Sequence, residues 1–178
     1  MNKEERIKQF RDSMKCCFPS RLRANTVLWL DTINFFTAPA SINHHGAYSG
    51  ALFDHSLTVM GLLLDYTEKL NLQWERPESP YIVGMFHDLC KCDNYTLKDG
   101  AWEYNRNQIL PGHGEKSVIM YQRMFGQLTM EEIACIRWHM GAFDDKENWE
   151  YYSRAVSQFP NVLYTHTADM AAAHIMGV

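Results

Sequence analysis

Residues 81–91 read YIVGMFHDLCK, an apolar run that ends in the adjacent pair His87-Asp88. The pair has companions at wide intervals. His55 lies upstream, His113 and His139 follow, and Asp169 closes the series, each separated from the next by roughly a helix plus a loop. Imidazole nitrogen and carboxylate oxygen are ligands for Zn, Mn, Fe or Ni. These six groups, brought by five segments, suffice for a two-metal centre. Neighbouring residues on a helix point about 100° apart, but at a frayed last turn both His87 and Asp88 reach one cavity. Asp88 has two oxygens and can bridge two cations about 3.5–4 Å apart. The expected division gives one cation His55, His87, Asp88 and Asp169. The other takes Asp88, His113 and His139, with positions left open for water and substrate.

The rest of the chain is patterned for helices. Residues 3–14 read as a polar first helix and 22–36 as a second, with Leu22, Thr26, Trp29 and Ile33 on one stripe. The segment 37–50 is a long loop, broken by Pro39, Gly46 and Gly50. From Ala51 to about Leu70, apolar residues and His55 recur at intervals of three and four, which places His55 on the inward stripe. Ser79-Pro80 reads as an N-cap followed by proline at the first helical position. Residues 93–110 alternate aromatic and polar groups around Asp99-Gly100, as a small hairpin at 95–105 or an irregular excursion. A helix resumes over 115–125. Thr129 with Glu132 forms a capping box for the helix that carries His139. The last helix, about 159–175, aligns Val162, His166, Asp169 and Ala173. The expected architecture is one all-α domain over 1–178, with a ligand-bearing core at 22–175.

Composition narrows the class. Apolar residues make up 46% of the 178, and 17 basic against 21 acidic residues leave a formal charge of −4. That balance offers no case for duplex-DNA binding, although Arg21 and Arg23 could meet a phosphate. The start, MNKEERIKQF, is charged and amphipathic rather than a signal peptide. No apolar stretch approaches the roughly 20 residues needed to cross a bilayer, so a cytoplasmic protein without a membrane partner is expected. The five cysteines contain no CxxC and read as free, mostly structural thiols.

Each ligand candidate has a plainer reading. A single histidine on an apolar face, such as His55 or His139, is ordinarily a satisfied core residue, and His113 between two glycines can be a loop residue. Asp169 is harder to explain away. It lies among Ala168, Ala171, Ala172 and Ala173, where an unpaired carboxylate costs several kcal/mol and needs a cation or donors. Four inward imidazoles and two carboxylates in one core shift the balance to an ion.

The ordered set His55, His87-Asp88 and Asp169 resembles the H…HD…D motif of the HD-domain superfamily of metal-dependent phosphohydrolases. With His113 in PGHGEKS and His139 in IRWHMG, it is similar to the branch that holds two metals, including the HD module of YhaM-type exoribonucleases. The segment FFTAPASINHHGAYSGALFDHSLTV is similar to small bacterial and phage HD hydrolases. The resemblance implies a helical bundle with two divalent cations (Mn, Fe, Ni, Co, Zn or Mg) in its core. It implies a phosphohydrolase or phosphodiesterase acting on a nucleotide or short oligonucleotide through metal-activated hydroxide. Asp88 and Lys91 are the expected catalytic residues, and His45 and Arg137 are candidates for phosphate contact. Tyr48, Trp102 and Tyr104 are candidates for stacking on a base. Two other readings use the same ligands: a di-iron oxygenase resembling inositol oxygenase, and a non-catalytic metal- or nucleotide-binding module. A homo-oligomer is compatible with a small enzyme of this kind.

Overall fold

The computed structural model describes all residues except 19 and 43–45, and of residues 20–23 the main chain. It is built from helices around one apolar core, with a two-stranded hairpin on the side. α1 (Lys3–Ser13) starts on an Asn2/Glu5 capping box and buries Phe10. α2 (Ser20–Thr32) stops four residues short of the expected end, because Asn34 takes a left-handed turn with φ 63°. α3 (Ala51–Leu70) and α4 (Ser79–Phe86) follow, then the short α5 (Lys91–Asn94). The N-cap of α4 is Glu78, not Ser79; the Ser79 hydroxyl instead donates to buried Glu132 at 2.9 Å.

β1 (Tyr95–Lys98) and β2 (Ala101–Tyr104) pair antiparallel, Tyr95 opposite Tyr104. Asp99 and Gly100 both have positive φ, 50° and 81°, which is the primed-turn geometry that matches strand twist. The hairpin reading of 95–105 therefore holds. α6 (Gly114–Phe125), α7 (Met130–Trp138), α8 (Trp149–Gln158) and α9 (Asn161–His174) complete the chain. The Thr129/Glu132 capping box opens α7 as expected. No helix among the described residues is long and apolar enough to cross a membrane.

Phe10, Phe35, Phe36, Phe53 and Phe86 are fully buried and meet mostly edge to face, as Phe10 with Phe36 at 5.7 Å and Phe35 with Phe53 at 6.0 Å. Each such ring stabilises the fold by about 1.5–3 kcal/mol through burial. On this floor α3 packs against α4 and α9, and α7 against α9 and α6. Two glycines let helices approach closely. A Cβ at Gly84 would lie 2.4 Å from the Met60 Cα, so α4 sits directly on the α3 backbone. A Cβ at Gly114 would meet the Arg137 carbonyl oxygen at 2.4 Å, which presses the start of α6 against the end of α7. The first approach brings His87 to His55, and the second brings His113 to His139.

Buried polar links hold these helices in register. Arg76 forks onto Glu132 at 2.8 and 2.7 Å and ties the approach to α4 to α7. Lys116, 1% exposed, holds Asp93 at 2.5 Å, Asn94 at 3.0 Å and Gln108 at 2.7 Å, so the hairpin is pinned to α6.

Candidate metal centre

α4 ends at Phe86, and the chain leaves it in tight turns, with Leu89 N–H donating to the Phe86 carbonyl at 3.2 Å. This tightening lets His87 and Asp88 face the same interior space. His87 and His139 use one local device. Each is the C-cap of its helix and donates Nδ1–H to the carbonyl three residues back, Gly84 at 2.9 Å and Ile136 at 2.7 Å. A helix end leaves such carbonyls without a partner, so a C-cap histidine satisfies one of them while it turns Nε2 inward. His55, midway along the first turns of α3, donates Nδ1–H to the Val178 carbonyl at 3.0 Å.

A carbonyl oxygen only accepts, so each of these three Nδ1 atoms carries the proton and each neutral ring keeps its lone pair on Nε2. Those lone pairs converge. His55 Nε2 and His87 Nε2 are 3.3 Å apart, and Asp169 Oδ1 stands 3.0 Å from the first and 3.7 Å from the second. Two lone pairs at that distance repel unless a proton or a cation lies between them. His139 Nε2 is fully buried and has no hydrogen-bond partner among the described residues, with Asp88 Oδ1 3.5 Å away.

Asp88 lies in the middle, 2% exposed. Its Oδ1 faces His113 Nε2 at 2.7 Å and His139, while Oδ2 faces Lys91 Nζ at 2.5 Å, His87 at 3.6 Å and His55 at 3.7 Å. The two oxygens thus address two different imidazole sets, as a bridging carboxylate must. Among the described residues, three overlapping groups have ligand atoms within 4.8 Å of one another: His55, His87 and Asp169; His87, Asp88 and His139; Asp88, Cys90 and His113.

The charges tell the same story. Burial works against ionisation of Asp88, but Lys91, His87 and His113 outweigh it and hold the carboxyl well below its usual range. Asp169 is likewise held low against burial by its hydrogen bonds to His55 and His87. His113 is raised to about 10, because Cys90 and Asp88 overcome the opposing effect of burial. His87 is raised against burial by Asp88 and Asp169, whereas burial lowers His139. Without a cation, protons must sit among these groups; a divalent cation takes their place and releases them. The donor set, the facing lone pairs and the orphaned Nε2 of His139 all fit a divalent metal.

The HD-domain family matches residues 52–171. The chain belongs to the HD-domain family. Its histidine–aspartate pair is His87-Asp88, at the end of α4. No curated protein and no solved structure matches the chain.

In this HD domain, a cavity of about 590 Å³ opens beside the cluster. His55, Asp88, His113, Asp169 and Lys91 form one side, and Tyr95, Tyr104, Met140, Phe143 and Met170 supply much of the remaining wall. The loop 37–50 and the segment 93–110 both contribute, through Ala40 and Ser41 and through Tyr95 and Tyr104. Of the three stacking candidates, Tyr104 is the one that lines the cavity. Tyr48 instead donates its hydroxyl to Asp54 at 3.1 Å, and Trp102 is half-buried against the core.

Of the phosphate-contact candidates, His45 lies outside the described residues. Arg137 is not brought to the cavity. Its guanidinium pairs with Glu115 and with Asp144 at 2.5 Å and stacks on the Trp138 ring at 3.9 Å. Both carboxylates take up its charge. Several residues of the site were not singled out from the sequence. Cys90 meets His113 at 3.3 Å, Val178 holds His55, and α9 adds Met170, Ala173 and His174 to the wall. No local pattern marks the Cys90 and Val178 contacts, whose partners lie 23 and 123 residues away along the chain.

Proposed function

We propose that this HD domain hydrolyses a phosphate ester of a nucleotide or short oligonucleotide at a centre of two divalent cations. The observation that carries this reading is the convergence of His55, His87 and His139 Nε2 atoms, their Nδ1 atoms tied to carbonyls, around Asp88 and Asp169 at the edge of an open cavity. His55, His87 and Asp169 would hold one cation and His113 and His139 the other, with Asp88 between them. A divalent cation there supplies Lewis acidity toward phosphoryl oxygen and brings water from a pKa of about 15.7 toward about 7.

The protein's own residues do the remainder. Asp88 keeps its negative charge at all working pH values, so it serves as a ligand rather than an acid. Lys91 lines the cavity with its ammonium against Asp88 Oδ2, where it balances the carboxylate and stands within the wall that a phosphoryl group would face. Met140, Phe143 and Met170 give that wall a low dielectric, which strengthens each charge interaction beside it. Tyr95 and Tyr104, centroids 5.6 Å apart, offer aromatic faces to a base.

The test is a metal-stripped protein reloaded in turn with Mn, Fe, Co, Ni, Zn and Mg, then assayed on phosphomonoesters, cyclic nucleotides and dinucleotides. Phosphate or nucleotide release with two cations per chain is expected. A fully loaded protein that hydrolyses none of these, or that consumes dioxygen with a polyol or phosphonate, overturns the proposal.

A further inference from the structure

We propose that Cys90 is a positioning residue of the centre: its sulfur accepts Nδ1–H of His113 and so aims His113 Nε2 at Asp88 and the cation beyond. The inference rests on the cluster being a cation site. Its starting point is an asymmetry among four imidazoles. His55, His87 and His139 are each oriented by a main-chain carbonyl. His113 has Cys90 Sγ at 3.3 Å from Nδ1 in the place such a carbonyl would take, while Nε2 lies 2.7 Å from Asp88 Oδ1.

His113 needs this anchor more than the others do. It precedes α6 in a loop, between Gly112 with φ 88° and Gly114, and its side chain is 30% exposed. Cys90 is the opposite, fully buried and fixed from two directions. Its N–H donates to Ser117 Oγ at 3.0 Å, and Asn94 Nδ2 approaches its sulfur at 3.9 Å. Ser117 belongs to α6, which His113 immediately precedes, so the loop histidine and its anchor are keyed to one helix.

The sulfur and the carboxylate occupy opposite nitrogens of the ring, which separates the anchor from the ligand atom. On the carboxylate side, the buried His139 Nε2, without a hydrogen-bond partner among the described residues, points to where a cation would be held. Partners that orient metal-bound histidines are ordinarily worth about 10–100-fold in metal affinity. Sulfur is a weak acceptor, yet in a dry and fixed position it is enough to choose the tautomer.

The experiment compares wild type, Cys90→Ala and Cys90→Ser by calorimetric titration with Zn²⁺ and Co²⁺, with circular dichroism to check the fold. Cys90→Ala is expected to bind about 10–100-fold more weakly, and Cys90→Ser, which keeps an acceptor, to recover most of the loss. In the zinc-loaded wild type, nitrogen–proton correlation spectra should report His113 as the Nδ1–H tautomer. The cobalt-loaded wild type should lack thiolate-to-cobalt charge-transfer absorption. Undiminished affinity in Cys90→Ala overturns the inference. So does that absorption band, which would make the sulfur a ligand, or an Nε2–H tautomer, which decides the matter if Cys90→Ala does not fold. A wild type that binds no cation removes the metal reading itself, and this inference with it.

Discussion

Replacing Asp88 by asparagine keeps the shape of the side chain and deletes one buried negative charge. In the cation-free protein that charge holds Lys91 at 2.5 Å and His113 at 2.7 Å in a site only 2% exposed. Removing one partner of a buried ion pair costs about 3–5 kcal/mol, since the other charge is left uncompensated. For a chain of this size each kcal/mol moves the melting temperature by about 2–4 °C, so Asp88→Asn should melt roughly 6–20 °C lower. A second effect is independent of the first. A cation at about 100 times its Kd stabilises the native state by about 2.7 kcal/mol, or roughly 5–11 °C. Wild type should show that shift with Mn²⁺, and Asp88→Asn, which would lose the proposed shared ligand, should show little of it. Thermal melts with and without metal, alongside hydrolysis of an aryl phosphodiester, measure all three quantities. A variant with wild-type melting, wild-type metal shift and full turnover would refute the placement of Asp88 between two cation positions.

The raised His113, at about 10, carries a proton in the cation-free protein through neutral pH and must release it to bind through Nε2. Metal affinity should therefore rise by about tenfold per pH unit as pH climbs toward about 10 and flatten above. The stability that this proton lends the cation-free fold is full below pH 6.5 and lost as pH passes about 10; calorimetry in buffers of different ionisation enthalpy reads the proton release, and a flat profile from pH 7 to 9 contradicts the assignment. Gly84→Ala forces a Cβ to within 2.4 Å of the Met60 Cα, so overpacking should cost about 1–3 kcal/mol and weaken metal binding as His87 shifts from His55. Melting and affinity both unchanged would mean that this helix contact does not set the ligand spacing. Tyr104→Ala should lower kcat/KM about 5- to 150-fold on a nucleotide, the value of one stacked base, and leave an alkyl phosphate nearly untouched. Equal losses on both would remove the stacking role.

What the sequence disclosed depended on how local the determining contact is. The inward position of His55 followed from spacing along α3, and the α7 start from a capping box that spans three residues. The hairpin was legible in Asp99-Gly100 because the turn needs two positive φ values and that dipeptide tolerates them. α8 was missed although Tyr152, Ala155 and Val156 recur at helical spacing and lie against the core; none of its residues is fully buried, and it follows short 3-10 turns rather than a capping box. Ser79 misled for a different reason, since its hydroxyl is claimed by Glu132, a partner 53 residues away. Cys90 and His113 are 23 residues apart, and His55 and Val178 are 123 apart. Pairings of that kind are set by how the helices dock. The ordered series of candidate ligands was readable, whereas the hydrogen bonds that orient their side chains were not.

The aromatic floor has a practical consequence for anyone who trims this protein. The stretch 52–171 contains every candidate ligand, yet Phe10, Leu30, Phe35 and Phe36, all at 0% exposure, come from before it. Asp54, one residue from His55, is likewise clasped by Arg6 of α1 at 2.9 and 2.8 Å. A shortened fragment would keep its six donors and lose the footing that lines them up, much as an arch keeps its stones when the abutment is taken away.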